Sequence, residues 1–202
     1  MNWAGSKGLH HNYTFKRFEK PKSETDEIAL SIEELDHLFE FDLSKKPSLE
    51  RVRDVFIFGC TTGMRYSDFS KITSENIRNN HIYRNSQKQK NNLGIPLNKY
   101  SKSILEKYDY SLPKISSQKF REYIKDACQL AGFNKDTIKT TYRGSERIEE
   151  KLPMYKRIST HTARRTFITV SLDKGMRPEI VMSITGHKSY SSFKKYIKLT
   201  QS

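Results

Sequence analysis

Cysteine is nearly missing from this chain: Cys60 and Cys128 are the two thiols in 202 residues. They form no C-x-x-C pair and no zinc-ligand spacing, which excludes a disulfide framework or a structural zinc site as the basis of the fold. Both are expected to be buried as small apolar groups, in a reduced cytoplasmic setting. Long apolar runs are missing too, and none approaches the roughly 18 residues a membrane span requires. The N-terminus lacks the charged-then-apolar pattern of a secretory signal. There are no repeats and no low-complexity tracts. Apolar residues reach only 35%, but 11 Phe and 11 Tyr supply bulk for a core.

Acidic residues are scarce relative to basic ones: 23 Asp and Glu stand against 37 Lys and Arg, a net charge of +14. The imbalance is concentrated, since residues 151–202 hold 11 basic and 2 acidic side chains. A basic surface of this kind is the electrostatic footprint of a polyanion. An anionic membrane fits less well, because the basic residues are interleaved with core-type segments instead of gathered on one amphipathic helix.

Residues 1–29 are polar, mixed in charge and without a period, so they are expected as a tail or a remnant of an interdomain linker. From residue 30 to 202 the pattern is that of one domain, mainly α with a small antiparallel β-sheet. Ser31 and Glu34 make a capping box ahead of Leu35, Leu38 and Phe39. Val52, Val55, Phe56 and Cys60 trace one stripe of a second helix, broken at Thr62-Gly63-Met64-Arg65, after which Tyr66–Ile72 resumes a short helical stretch. Ile77, His81–Arg84 and Leu93–Leu97 have the shorter period of strands, joined by Asn79-Asn80 and by the polar stretch Gln87–Asn92. Helices are expected over Lys99–Tyr108 and Ser117–Ala131, the latter stopped by Gly132. A hairpin follows around Gly144, and helices over His161–Lys174, Pro178–Thr185 and Ser189–Leu199 close the chain.

Cutting a nucleic-acid strand and later resealing it needs a nucleophile, cations for the phosphate oxygens and an acid for the leaving oxygen. Tyrosine suits the first role because its phosphate ester conserves the bond energy. Arginine suits the second because its planar fork binds two oxygens and keeps its charge. His161 and Arg164 stand at i and i+3, on one helix face. Gly186-His187 follows a short helix, and Tyr196 lies nine residues after His187 on another.

Taken singly, each of these residues has an ordinary reading as a cap, a core group or a solvated charge. Their order changes the reading. Thr62-Gly63-Met64-Arg65-Tyr66-Ser67-Asp68 resembles the box around the first catalytic arginine of tyrosine recombinases, the phage integrase family. His161-Thr162-Ala163-Arg164-Arg165-Thr166-Phe167 is similar to their H-x-x-R box, in the form seen in integrases of Bacteroides-type mobile elements. Thr185-Gly186-His187 followed by Tyr196 resembles their G-H box and nucleophile. The resemblance spans about Leu30 to Leu199.

That resemblance implies the tyrosine recombinase catalytic-domain fold and site-specific DNA recombination by strand cleavage and rejoining. Arg65 and Arg164 would grip the non-bridging oxygens of the scissile phosphate, His187 would hydrogen-bond an oxygen there, and His161 would assist proton transfer. Tyr196 would attack, leaving a 3′-phosphotyrosine and a free 5′-hydroxyl. The family's lysine acid sits in a strand-to-strand turn, where the distance to Ile95-Pro96-Leu97 favours Lys88 and Lys90 remains a rival. Lys90, Arg165 and Lys188 are candidate phosphate contacts, Arg165 with a structural role as its alternative. Asp68 is expected to orient Arg65 or to cap local backbone. The arginines supply the positive charge a magnesium ion would bring, so neither metal nor other cofactor is expected.

The expected partner is double-stranded DNA in a bacterial, nucleoid-associated setting. The expected parent is a homotetramer on DNA for integration or excision of a mobile element. About 30 residues ahead of Ser31 are too few for the helical core-binding domain that usually precedes this one, so that domain is expected to be absent and the fragment to be a monomer. Two other readings remain. A non-catalytic DNA-binding module that kept the fold would not need the full set Arg65, His161, Arg164, His187 and Tyr196. A type IB topoisomerase shares the chemistry.

Overall fold

The segment expected as a tail or linker carries local structure in the computed structural model, which describes residues 2–17, 27–83, 94–143 and 146–199. Helix α1 (Asn2–Ser6) is tied by a hydrogen bond from Ser6 Oγ to Trp3 O at 2.7 Å, and a 3-10 turn follows at Thr14–Arg17. Between them the rings of His10 and Tyr13 lie 5.8 Å apart. Contacts this local leave no period in a sequence. The chain divides into two units, Met1–Asp26 with Ile138–Lys151 and Glu27–Thr137 with Leu152–Ser202. Every described candidate site residue belongs to the second.

That second unit starts as the sequence suggests. Ser31 caps α2 (Ile32–Glu40): its Oγ accepts from the Glu34 amide at 3.2 Å while Glu34 Oε2 accepts from the Ser31 amide at 2.8 Å. The far end of α2 is satisfied by a side chain from another helix. Arg53 Nη1 donates to Leu38 O, Phe39 O and Phe41 O at 3.1, 2.7 and 2.8 Å, carbonyls for which the helix ladder has no donor. A buried guanidinium needs a counter-charge. Arg53 finds it in Asp54 at 2.6 Å, and Asp54 also receives Lys107 Nζ and Tyr108 OH at 2.7 and 2.8 Å.

Helix α3 (Pro47–Thr62) is the axis of the unit. Pro47 suits its first turn, and residues from Val52 to Thr62 are all buried. A short α4 (Tyr66–Phe69) and three strands follow, β1 (Ile77–Arg78), β2 (His81–Ile82) and β3 (Ile95–Pro96). The sheet is antiparallel in the order β1-β2-β3, with Ile77 opposite Ile82 and Ile82 opposite Ile95. Asn79 and Asn80 take φ of 49° and 63°, the left-handed pair a two-residue hairpin demands. Helices α5 (Lys99–Lys107) and α6 (Ser117–Leu130) pack on α3.

Two further strands, β4 (Asp136–Arg143) and β5 (Glu146–Pro153), make a second small sheet around the turn expected at Gly144, which itself lies outside the described residues. Then come α7 (Met154–Arg157), α8 (Thr160–Asp173), α9 (Pro178–Thr185) and α10 (Tyr190–Leu199). Four residues of α7 are too short to show a helical period, and the sequence gives no sign of it. Gly59 allows α3 to approach α8 closely, since a Cβ there would stand 3.2 Å from Ala163 Cβ. Where the chain enters the unit it is fastened to α8 twice: Glu27 Oε2 pairs with Arg165 Nε at 2.7 Å, and the Leu30 amide donates to Thr166 Oγ1 at 3.0 Å. The architecture is the expected one, mainly helical with small antiparallel pairing. Both cysteines are buried and free.

Candidate active site

The site is built around the break after α3. Gly63 ends that helix with φ of 65°, and a Cβ there would fall 2.4 Å from Phe167 Cδ1, so both conformation and space require glycine. The turn frees the Gly63 carbonyl and presents Arg65 at the start of α4, exposed. Asp68, expected near Arg65, takes a hydrogen bond from Ser67 Oγ at 3.1 Å.

On α8, Ser159 and Thr162 cap the first turn, and the capped turn carries His161 while Arg164 lies one turn along. His161 is exposed and Arg164 buried. Arg164 reaches two elements remote in sequence: Nη1 donates to Gly63 O at 3.1 Å, and Nη2 donates to Thr185 O at the end of α9. Both are carbonyls at helix C-termini, where a cation is favoured. Arg65, His161 and Arg164 line one pocket of about 340 Å³, with Met64, Tyr66, Ser67, Ser117, Arg121 and Thr160. Tyr66, the tyrosine among these lining residues, donates its hydroxyl to Ile115 O, and burial pushes its pKa up. It is a poor nucleophile where it stands.

His187 joins the arrangement from the other side of Arg164. Gly186 ends α9 in the left-handed conformation, and His187 Nδ1 then lies 2.7 Å from Thr185 Oγ1 and 3.4 Å from Arg164 Nη2. The Thr185 hydroxyl has one hydrogen, and Val181 O at 2.6 Å takes it. Thr185 Oγ1 therefore accepts from Nδ1–H, which leaves Nε2 as an acceptor in the neutral ring and a donor in the imidazolium. The Tyr196 ring stands 5.6 Å from the His187 ring, edge to face, and 5.8 Å from Phe193. Tyr196 is 8% exposed and packs in a small cluster with Ile168, Val181 and Phe193. It does not line the pocket that Arg65 and His161 share.

The remaining candidates separate. Arg165 points away from Arg164 and pairs with Glu27, and Lys188 is exposed beside His187. Tyr190, the other tyrosine close to the Gly-His turn, is 54% exposed at the start of α10. Lys88 and Lys90 lie outside the described residues, between β2 and β3. The sequence did not point to Arg121 or to Thr185 as the partner of His187. For Thr185 a hint was available, a hydroxyl at the last buried position of an apolar helix; for Arg121 there was none beyond its place on the polar face of α6. Among the described residues no group of three or more His, Cys, Asp or Glu is placed to hold a metal, and no helix is long and apolar enough to cross a membrane.

A mainly helical frame that draws an arginine turn, an H-x-x-R helix and a Gly-His turn onto one centre beside a tyrosine is the architecture of tyrosine recombinase catalytic domains. The chain belongs to the phage integrase family, whose profile matches residues 29–202. It is 27% identical over 198 residues to the tyrosine recombinase XerC of Rickettsia bellii strain RML369-C, covering 94% of this chain and 62% of that protein. A second XerC, from strain OSU 85-389, is 25% identical over 197 residues with the same coverage. The chain thus spans about three fifths of the length of these relatives. Among solved structures, a lambda integrase dimer bound to a COC′ core site superposes with a TM-score of 0.65 at 16% identity, over 96% of this chain and 68% of that one. XerA recombinase gives 0.59 at 19% identity, over 88% and 61%.

Proposed function

We propose that this chain is the strand-cutting and rejoining part of a site-specific DNA recombinase, with double-stranded DNA as its partner and Tyr196 as its nucleophile. The observation that carries the reading is Arg164. Its one guanidinium binds Gly63, two residues before Arg65, and Thr185, two residues before His187, so three boxes far apart in sequence share one centre.

Arg65 and Arg164 hold the non-bridging oxygens of a phosphodiester, and His187 Nε2 hydrogen-bonds one of them when the ring is protonated. The Tyr196 oxygen attacks phosphorus and its proton passes to His161. The P–O5′ bond breaks as the P–O(Tyr) bond forms, and the 5′-oxygen takes a proton from Lys88, the acid we assign over Lys90. The reverse sequence reseals a strand, because the ester keeps the bond energy. Cations fixed before the reaction stabilise the charge that develops on the phosphorane. Tyr196 is buried beside His187, so its ring must turn toward the pocket when DNA binds. We assign Arg165 to fastening the chain at Glu27, and Lys188 to the DNA backbone. Integration or excision of a mobile element by a parent that assembles as a tetramer is the context we infer. The mobile-element context draws on solved neighbours such as the Tn1549 transposon integrase in complex with circular intermediate DNA, TM-score 0.63 at 16% identity, and the tetramer on a lambda integrase tetramer bound to a Holliday junction, TM-score 0.60 at 17% identity.

The test is covalent trapping on a nicked suicide duplex. Wild-type protein should give a protein–DNA species that resists denaturant, retained in Tyr190→Phe and lost in Tyr196→Phe, which removes only a hydroxyl. An adduct that survives Tyr196→Phe overturns the assignment, and no adduct from wild type on its own recognition DNA overturns the activity.

A further inference from the structure

We propose that Arg121 grips a second DNA phosphate, beside the one held by Arg65 and Arg164. This rests on the recombinase reading of the pocket and extends it to a residue on α6.

Arg121 lines the same pocket of about 340 Å³ as Arg65, His161 and Arg164, and no Asp or Glu is among the residues that line it. It is exposed, and its Nε donates to Ser117 O one turn back at 3.2 Å. That bond lays the side chain along the helix toward its N-terminus, the direction helical side chains favour. Its Nη groups meet no partner among the described residues. The neighbouring carboxylate, Glu122, accepts instead from Gln118 Nε2 at 3.2 Å. Arg121 therefore adds an exposed charge with no carboxylate partner among the described residues to a pocket already lined by two other arginines, which raises the local attraction for an anion.

The charge count says which anion. Three guanidinium groups face a volume much larger than a phosphate group, and a phosphodiester brings one negative charge. Arg164 spends donors on Gly63 O and Thr185 O, which holds its guanidinium in place and leaves it fewer donors for an anion. A DNA strand delivers phosphates in series, so a cation set wider than one phosphate meets the next. The first turn of α6 adds to the attraction: Ser117 lines the pocket at the start of this 14-residue helix, where the backbone amides make a partial positive charge.

The experiment measures binding of a fluorescein-labelled duplex of generic sequence by anisotropy across a range of KCl. It compares the full chain with Arg65→Gln, Arg121→Gln, Arg121→Lys and the Arg65→Gln/Arg121→Gln double variant. Each phosphate contact contributes about 0.9 to the slope of log K against log salt. Arg121→Gln should lower the slope by about 0.9, Arg121→Lys should keep it, and the double variant should lose about 1.8. An unchanged slope in Arg121→Gln overturns the proposal. A double variant losing no more than either single means one shared phosphate and overturns it as well. If Arg65→Gln lowers the slope and Arg121→Gln does not, only the role of Arg121 fails. If neither does while wild type still binds, the pocket is not the phosphate site, and the recombinase reading fails with it. Far-UV circular dichroism should show the same helix content in all variants.

Discussion

Replacing Gly63 by alanine tests whether the turn after α3 is what assembles the site. Two costs add. At φ of 65° an L-residue crowds its own carbonyl, at roughly 1–2 kcal/mol. The new methyl would also lie 2.4 Å from Phe167 Cδ1 and 2.7 Å from Cε1, inside the ring's van der Waals surface. Overpacking of that kind costs typically 1–3 kcal/mol. Together they give about 2–5 kcal/mol, and for a unit of this size each kcal/mol moves Tm by about 2–4 °C. Gly63→Ala should therefore melt roughly 10 °C below wild type when followed by circular dichroism. The clash and the backbone cost can be separated with Phe167→Ala. That substitution opens the space but leaves φ unchanged, so the double variant should be about 1–3 kcal/mol less destabilised than the two singles combined. Because Gly63 O holds Arg164 Nη1 at 3.1 Å, the single variant should also trap less DNA than its lost stability explains at temperatures where it is folded. A Tm within about 2 °C of wild type, or singles that simply add, would refute the geometry on which the site depends.

Thr185→Val keeps the shape of the side chain and removes the hydroxyl that sits 2.7 Å from His187 Nδ1. Adduct formation should slow about 10-fold with Tm close to wild type, the upper end of what one hydrogen bond contributes, and an unchanged rate would sink the positioning role. Burial holds the Cys60 and Cys128 thiols neutral, with pKa values raised well above the ordinary one. In the unfolded chain they ionise from about pH 8.5. Above that pH the unfolded state binds fewer protons than the folded one, so stability falls as pH rises, and below it this linkage contributes nothing. Urea denaturation between about pH 8 and 10 should show the fall and its flattening in Cys60→Ala/Cys128→Ala; an identical slope in both proteins would refute the linkage.

Helices that announce themselves locally were legible. Ser31 and Glu34 mark the start of α2 because a capping box is complete within four residues, and Gly63 and Gly132 mark helix ends because each takes positive φ. The two-Asn turn between β1 and β2 is local in the same way. What could not be read depends on which chain segment faces which. Nothing near Arg53 announces that its guanidinium closes α2, since the three carbonyls it serves lie 12 to 15 positions back. Arg121 is an ordinary polar-face residue until the fold brings it to a pocket shared with residues of α4 and α8. The order of the site boxes was legible from resemblance to a family, but the burial of Tyr196 was not, because it is the packing of α10 against Ile168 and Val181 that hides the ring.

The two fastenings at the entry of the second unit place α8 under a particular mechanical condition. Arg164, Arg165 and Thr166 are consecutive, yet the first reaches Gly63 and Thr185 while the next two hold Glu27 and Leu30. The contact that holds Glu27 is thus one residue away from the guanidinium that joins the site. α3, buried from Val52 to Thr62, supplies the opposite anchor through Gly63 O.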